Sequence, residues 1–172
     1  MNKRRGFTLI ELLVVISIIT LLSSIVFASL SSARARGKDA AIKESVNQLR
    51  LLLEQNFNDY GSYVNLHPGN TYGWFTTAAS CTAGMPAGNY QAQAISICTN
   101  IVNNAGPSTN FGASTGGGSL YMGNGTSTST SYSVMAYLPY KTTMFCVGSS
   151  GANSDTTTPA NIWGQPGCFS SP

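Results

Sequence analysis

Glu11 stands four residues after Phe7 and is the only ionisable side chain between Phe7 and Leu30. A carboxylate at the centre of an apolar, membrane-length helix costs roughly 2.5–3.5 kcal/mol on insertion scales, so it is seldom found there without a partner. Directly before Phe7 comes Gly6, and before that the basic cluster Lys3, Arg4 and Arg5. The second group of reactive side chains is Cys81, Cys98, Cys146 and Cys168. An even number of cysteines in a loop-rich segment that follows a membrane-length apolar run reads as two disulfides. Three pairings are open. Cys81–Cys98 with Cys146–Cys168 is preferred, because each bond then closes a local loop of ordinary size and contributes about 3 kcal/mol in the chain-entropy model. Zinc is the poorer reading, since no Cys-x-x-Cys or Cys/His pair supplies the usual ligand spacing.

Other chemistries are thinly represented. From Tyr60 to Pro172 the only charged side chains are Lys141 and Asp155, with His67 as the lone imidazole. One acid excludes paired-carboxylate catalysis in that region, and His67 has neither an acid nor a nucleophile in any recognisable motif beside it. Gly116-Gly117-Gly118 is not followed by Lys-Ser/Thr and is no phosphate loop. The formal charge of +3 comes entirely from the three basic residues before Gly6, leaving six basic side chains against six acids. Nucleic acid is therefore not an expected partner, because phosphate neutralisation needs clustered Lys and Arg. No enzyme activity, cofactor or metal is expected. Asn124-Gly125-Thr126 has the N-glycosylation form and lies in a Ser/Thr/Gly tract that reads as an exposed loop.

The elements that hold these residues follow from hydrophobic patterning. Residues 1–6 are too short for structure and read as a leader. From Phe7 to Leu30 only Thr, Ser and Glu11 interrupt the apolar run; as a helix it spans roughly 36 Å, enough for a bilayer core of about 30 Å. Residues 31–58 continue the helix in amphipathic form, with Ala35, Ile42, Val46, Leu49, Leu53 and Phe57 at helical spacing. There is no proline from Phe7 to Leu66, so one helix from about Thr8 to Asn58 is expected, ended near Gly61. Residues 59–172 form the head. Residues 71–88 read as irregular with Trp74 and Phe75 as anchors, 91–102 as a short helix or a strand, and 103–118 as loop. Strands are expected over 131–138 and 142–147 around a turn at Pro139, followed by a loop tail pinned by Trp163 and Cys168. The fold class is α+β: a long N-terminal helix packed on a small antiparallel sheet, with two disulfides.

Gly6-Phe7-Thr8-Leu9-Ile10-Glu11 and the apolar run behind it resemble the class III signal of type IV prepilins and type II secretion pseudopilins. The resemblance implies cleavage between Gly6 and Phe7, N-methylation of Phe7, and a pairing of Glu11 with the N-terminal amine of a neighbouring subunit. It further implies a single-pass inner-membrane precursor with a cytoplasmic N-terminus, in agreement with the positive-inside rule, which then enters an extracytoplasmic filament. Its partners would be copies of itself, a prepilin peptidase/methyltransferase, an assembly platform with its ATPase, and lipid before assembly. Cys146-Val147-Gly148-Ser149-Ser150-Gly151 resembles the Cys-Val-Asp-Ser-Ser-Gly segment of pilin-like proteins, with Gly148 in place of the acid. Thr20 and Ala28 stand where many pilins carry a helix-breaking Gly and Pro, so local melting of the helix is not implied. Major pseudopilins bind calcium through acidic loop residues; Asp155 alone is too little for that. The expected function is a structural subunit of a pilus or pseudopilus. The alternatives are a minor pilin that binds a surface, or a secreted protein cut after Ala28.

Overall fold

The computed structural model describes residues 7–63, 66, 72–106, 118–124, 131–149, 151 and 153–156. The chain divides into two compact units, Met1–Arg36 and Gly37–Pro172. Helix α1 (Leu9–Tyr60) contributes to both. It ends where Gly61 takes a φ of +68°, a left-handed conformation that costs glycine nothing and lets the Gly61 N–H close a 2.7 Å bond on the Phe57 carbonyl.

In the first unit, every large apolar side chain from Phe7 to Leu30 is solvent-facing, with Phe7 79% and Leu22 56% exposed. Polar side chains there turn back on their own helix. Ser17 donates to the Leu13 carbonyl at 2.7 Å and Ser24 to the Leu21 carbonyl at 2.8 Å; Thr20 donates to the Ile16 carbonyl. Hydroxyls satisfied in this way carry no unmet hydrogen bond into an apolar medium. Among the described residues α1 is the one helix long and apolar enough to cross a membrane.

In the second unit the same helix becomes one-sided. Asp39, Ile42, Val46, Leu49, Leu53 and Asn56 are all buried, at alternating spacings of three and four that keep them on one face. The sheet they meet is a meander in the order β1-β2-β3-β4-β5, antiparallel throughout. Its strands are β1 (Tyr72–Phe75), β2 (Leu120–Asn124), β3 (Tyr132–Leu138), β4 (Thr143–Gly148) and β5 (Asn153–Thr156). Period-two alternation sends Phe75, Leu120, Met122, Val134, Ala136, Phe145 and Val147 into a single core with Ile42, Val46, Leu49 and Leu53. The opposite row, Tyr121–Met135–Cys146, is in cross-strand register and forms a second buried cluster with Met144.

The expected α+β class is what the structure has. Three local readings change. The stretch taken as irregular, 71–88, holds β1 and helix α2 (Ala78–Gly84). Four residues are too few for β1 to show a period, and α2 is started by a reciprocal Thr77/Ser80 cap rather than by an apolar stripe. Strand β2 runs into the tract read as loop; just before it, Gly118 lies so close to Phe75 that a Cβ would come 2.8 Å from its carbonyl oxygen. Strand β5 lies in the tail read as loop: Asn-Ser-Asp-Thr carries no apolar alternation to read, and it pairs antiparallel with β4 at the edge of the sheet. The helix-or-strand alternative at 91–102 resolves as helix α3 (Gln91–Ala105), which buries Ala94, Cys98, Ile101 and Val102.

Candidate functional site

Thr8 and Glu11 together start α1. The Thr8 N–H and the Thr8 hydroxyl both donate to Glu11 Oε2 at 2.8 Å, while the Glu11 N–H donates to Thr8 Oγ1 at 3.3 Å. This is a capping box: residue and partner three apart each satisfy a backbone donor that the first helical turn leaves open. The cap was legible as Thr-x-x-Glu before an apolar run, a signal overlooked when Glu11 is considered only as a charge. Phe7 precedes the helix; Gly6 lies outside the described residues.

A second polar constellation joins α1 to the sheet within the second unit. Asp39, 5% exposed, accepts the backbone N–H groups of Tyr140 and Lys141, both at 3.1 Å. These are the donors of the turn between β3 and β4. One turn further along α1, Lys43 bonds Asp155 at 2.7 Å, and Lys141 bonds the same carboxylate at 2.5 Å. Asp155 pairs across the ladder with Phe145, so it shares the face of the sheet that looks at α1. Lys43 also lies 4.8 Å from the centroid of the Phe145 ring. Partial burial works to raise the Asp155 pKa, but the hydrogen bonds and charges of Lys141 and Lys43 outweigh it and hold the carboxyl below its ordinary value. Lys141 is correspondingly raised, first by its bond to Asp155.

Near the C-terminal end of α1, Glu54 receives the hydroxyls of Tyr63 at 3.1 Å and Tyr132 at 2.9 Å. The Phe57 and Tyr63 rings stack at 4.6 Å, and Tyr63 meets the Tyr132 ring edge-to-face at 4.7 Å. Burial, then the bond to Glu54, pushes Tyr63 up to about 12 and raises Tyr132 further. Neither Asp39 nor Glu54 was singled out from the sequence. Their partners lie up to 102 residues away, and no local pattern reports such a distance.

Cys81 on α2 and Cys98 on α3 form a disulfide with a Cα–Cα distance of 5.9 Å. The expected Cys146–Cys168 pair, like His67 and Trp163, lies outside the described residues, which include only Cys146. Among the described residues no group of three or more His, Cys, Asp or Glu could hold a metal ion, and the polar side chains assembled here form caps and clasps rather than an acid–base or nucleophilic arrangement.

Comparison with known proteins points to the N-terminus. The family model described as "Prokaryotic N-terminal methylation motif" matches residues 1–27. The chain is similar to the type IV wide pilus major component PilA4 of Thermus thermophilus, 37% identical over 65 residues, covering 38% of this chain and 50% of that one. It is also similar to the type IV major pilin protein PilA of Myxococcus xanthus, 31% identical over 86 residues, covering 45% of this chain and 39% of the relative. The chain thus spans half or less of the length of these curated relatives. No solved structure matches it. The chain thus matches the prokaryotic N-terminal methylation motif over residues 1–27 and is similar over part of its length to two type IV pilus components.

Proposed function

We propose that this chain is a structural subunit of a type IV pilus. It is made as a membrane-anchored precursor with its N-terminus in the cytoplasm, cut between Gly6 and Phe7, methylated on the Phe7 amine and assembled through residues 7–30. In this reading residues 1–6 are the leader, 7–30 the membrane and assembly helix, 31–58 its amphipathic continuation, and 59–172 the head. Its partners are copies of itself, the peptidase/methyltransferase, and an inner-membrane platform with its ATPase; the chain performs no chemistry of its own. Both matched relatives carry type IV pilus names, which favours a pilus over a secretion pseudopilus.

The observation that carries the reading is Glu11: a single carboxylate in an apolar helical segment whose large side chains all face outward. That surface needs lipid or like helices around it. Among like helices, Glu11 is penalised unless a cation meets it. At about 4 Å and an effective dielectric near 20, an ammonium gains roughly 4 kcal/mol before desolvation is subtracted, and burying both charges costs several kcal/mol each. Such a pair adds little affinity and enforces register, since only staggers that bring an amine to Glu11 are tolerated. Among the described residues both bonds to the Glu11 carboxylate end on Oε2, and in this reading Oε1 receives the Phe7 ammonium of a neighbouring subunit.

Two measurements test this. Intact-mass analysis of the exported protein should give a chain beginning at Phe7 with a methylated amine; a chain beginning at Ser29 would replace the reading with a secreted protein. Glu11→Gln preserves the cap, because glutamine also accepts from the Thr8 N–H, and it removes the charge. Filaments should then be lost or sparse in electron micrographs at matched protein levels, whereas Thr8→Ala, which weakens the cap by about 1 kcal/mol, should still assemble. Normal filaments from Glu11→Gln would refute the role of the charge.

A further inference from the structure

Charge is distributed unevenly along this chain. With residues 1–6 set aside, the basic side chains are Arg34, Arg36, Lys38, Lys43, Arg50 and Lys141. No ionisable side chain lies between Glu11 and Arg34. The apolar run therefore gives way to Arg34, Arg36 and Lys38, all exposed, before the first acid, Asp39. Asp39 is buried and gives both its oxygens to the Tyr140 and Lys141 amides. The acids Glu44, Glu54 and Asp59 come only further along α1, where Arg50 is the one base.

In the first unit, Arg34 and Arg36 stand about 6 and 9 Å past Leu30 at 1.5 Å per residue. A bilayer carries about 5–7 Å of headgroup outside each side of its hydrocarbon core. With residues 7–30 in that core, the two guanidiniums fall at the level of the lipid phosphates, and their long stems let them adjust. Guanidinium groups suit phosphate oxygens because they can bind two at once. In the second unit, Lys38 is the second residue, and Asp39 holds the turn between β3 and β4 against the same stretch of α1. That turn presents Tyr140, 41% exposed, and Lys141, whose side chain is 49% exposed. Lys141 shares Asp155 with Lys43, so one carboxylate meets two ammonium groups and a positive charge is left over. A tyrosine ring beside lysines is a composition that membrane–water interfaces favour.

We propose that anionic phospholipid headgroups, on the leaflet where α1 leaves the membrane, are the partner of two sets of residues: Arg34 and Arg36 in the first unit, and Lys38, Tyr140 and Lys141 in the second. The proposal rests on the reading of residues 7–30 as the membrane segment and adds to it the class of lipid.

The test uses the full chain carrying Lys3→Ser, Arg4→Ser and Arg5→Ser, which removes the leader's own attraction for anionic lipid, reconstituted in phosphatidylcholine vesicles. Flotation with these neutral vesicles tests the anchor by itself; a chain that does not float refutes the membrane reading and the lipid assignment with it. Lipid preference is then read by electron paramagnetic resonance of spin-labelled phosphatidylglycerol and spin-labelled phosphatidylcholine at the protein boundary. Phosphatidylglycerol should be favoured, and less so as salt is raised. Adding Arg34→Gln, Arg36→Gln and Lys38→Gln together should lower the preference about fivefold or more, since one surface charge is worth roughly that factor. Lys141→Gln, which leaves Lys43 on Asp155, should lower it by a smaller factor, and Arg50→Gln should leave it unchanged. Equal association of the two lipids in a chain that floats would overturn the proposal while the membrane reading stands. So would a preference that survives the triple substitution, or one that falls as far with Arg50→Gln. No change from Lys141→Gln would overturn the part that concerns the β3–β4 turn. Absence of any lipid preference, with crosslinking between copies that the triple substitution abolishes, would give these bases to the acids of a second copy instead.

Discussion

The two halves of α1 obey different constraints, although one helix carries both. Up to Leu30, large apolar side chains face outward all round, and hydroxyls fold back on carbonyls of the same helix. The side-chain bonds seen there among the described residues close within the same helix. From Asp39 to Asn56 one face is buried and the other largely polar, and two of its acids, Asp39 and Glu54, bond groups outside the helix, as does Asp59 in the last turn. The first half is built for an environment that the molecule does not itself supply. The second half is a component of a core, and its polar residues have meaning only through partners far away in sequence. The lesson is that helical continuity says little about where stability comes from.

Matched truncations in the two halves of α1 should differ most. Leu49→Ala, at a fully buried position, should destabilise the second unit by about 2–5 kcal/mol, read as a fall in chemical-denaturation midpoint. Leu22→Ala, 56% exposed, should leave that midpoint unchanged. Equal effects from the two would erase the distinction. Replacing Cys81 and Cys98 by serine opens a loop with a sequence separation of 17 and should cost about 3 kcal/mol. Because these residues sit in the core with Ile42 and Leu49, the loss should appear in tryptophan and tyrosine signals of the second unit, with the helical circular dichroism of 9–36 retained.

Asp39→Ala sharpens the contrast from the polar side. It strands the N–H groups of Tyr140 and Lys141, and hydrogen bonds to a charged acceptor contribute about 1.5–3 kcal/mol each way they are measured. Hydrogen exchange at those two amides should accelerate well before exchange at β2 does. If both amides stay protected, the turn does not depend on the helix. The smallest effect is expected at Asp155. Its folded pKa is depressed, so its contribution is present above the unfolded value near 3.9 and is lost as pH falls through the lower folded value. Exposed ion pairs contribute about 1 kcal/mol or less. Asp155→Asn should therefore lower stability slightly at pH 7 and flatten the acid limb below about pH 4; an unchanged acid limb would show that Lys43 and Lys141 do not hold the edge strand.

Much of this was readable in the residues themselves. The apolar run from Phe7 to Leu30, the absence of proline up to Leu66 and the spacing of Ile42, Val46, Leu49 and Leu53 determine α1, because a helix closes its hydrogen bonds within four residues and its faces repeat with a fixed period. The alternation in 131–138 and the turn after it identify β3 and β4 for the same reason. The Thr8–Glu11 cap belongs with these, since its two members are three residues apart.

Tertiary structure alone decided the rest. Strands β1 and β5 are four residues each, too short to display a period, and they exist because β2 and β4 offer them open ladders. Asp39 and Asn56 look like surface residues of an amphipathic helix. They are buried because the stripe that carries Ile42 to Leu53 into the core extends one step beyond at each end. Asp39 is met there by turn amides 101 and 102 residues away; Asn56 Oδ1 is met by none of the described groups. Long-range partners are set by how strands pair and in what register, a property of the whole sheet, so no reading of neighbouring residues could have told the satisfied carboxylate from the open amide.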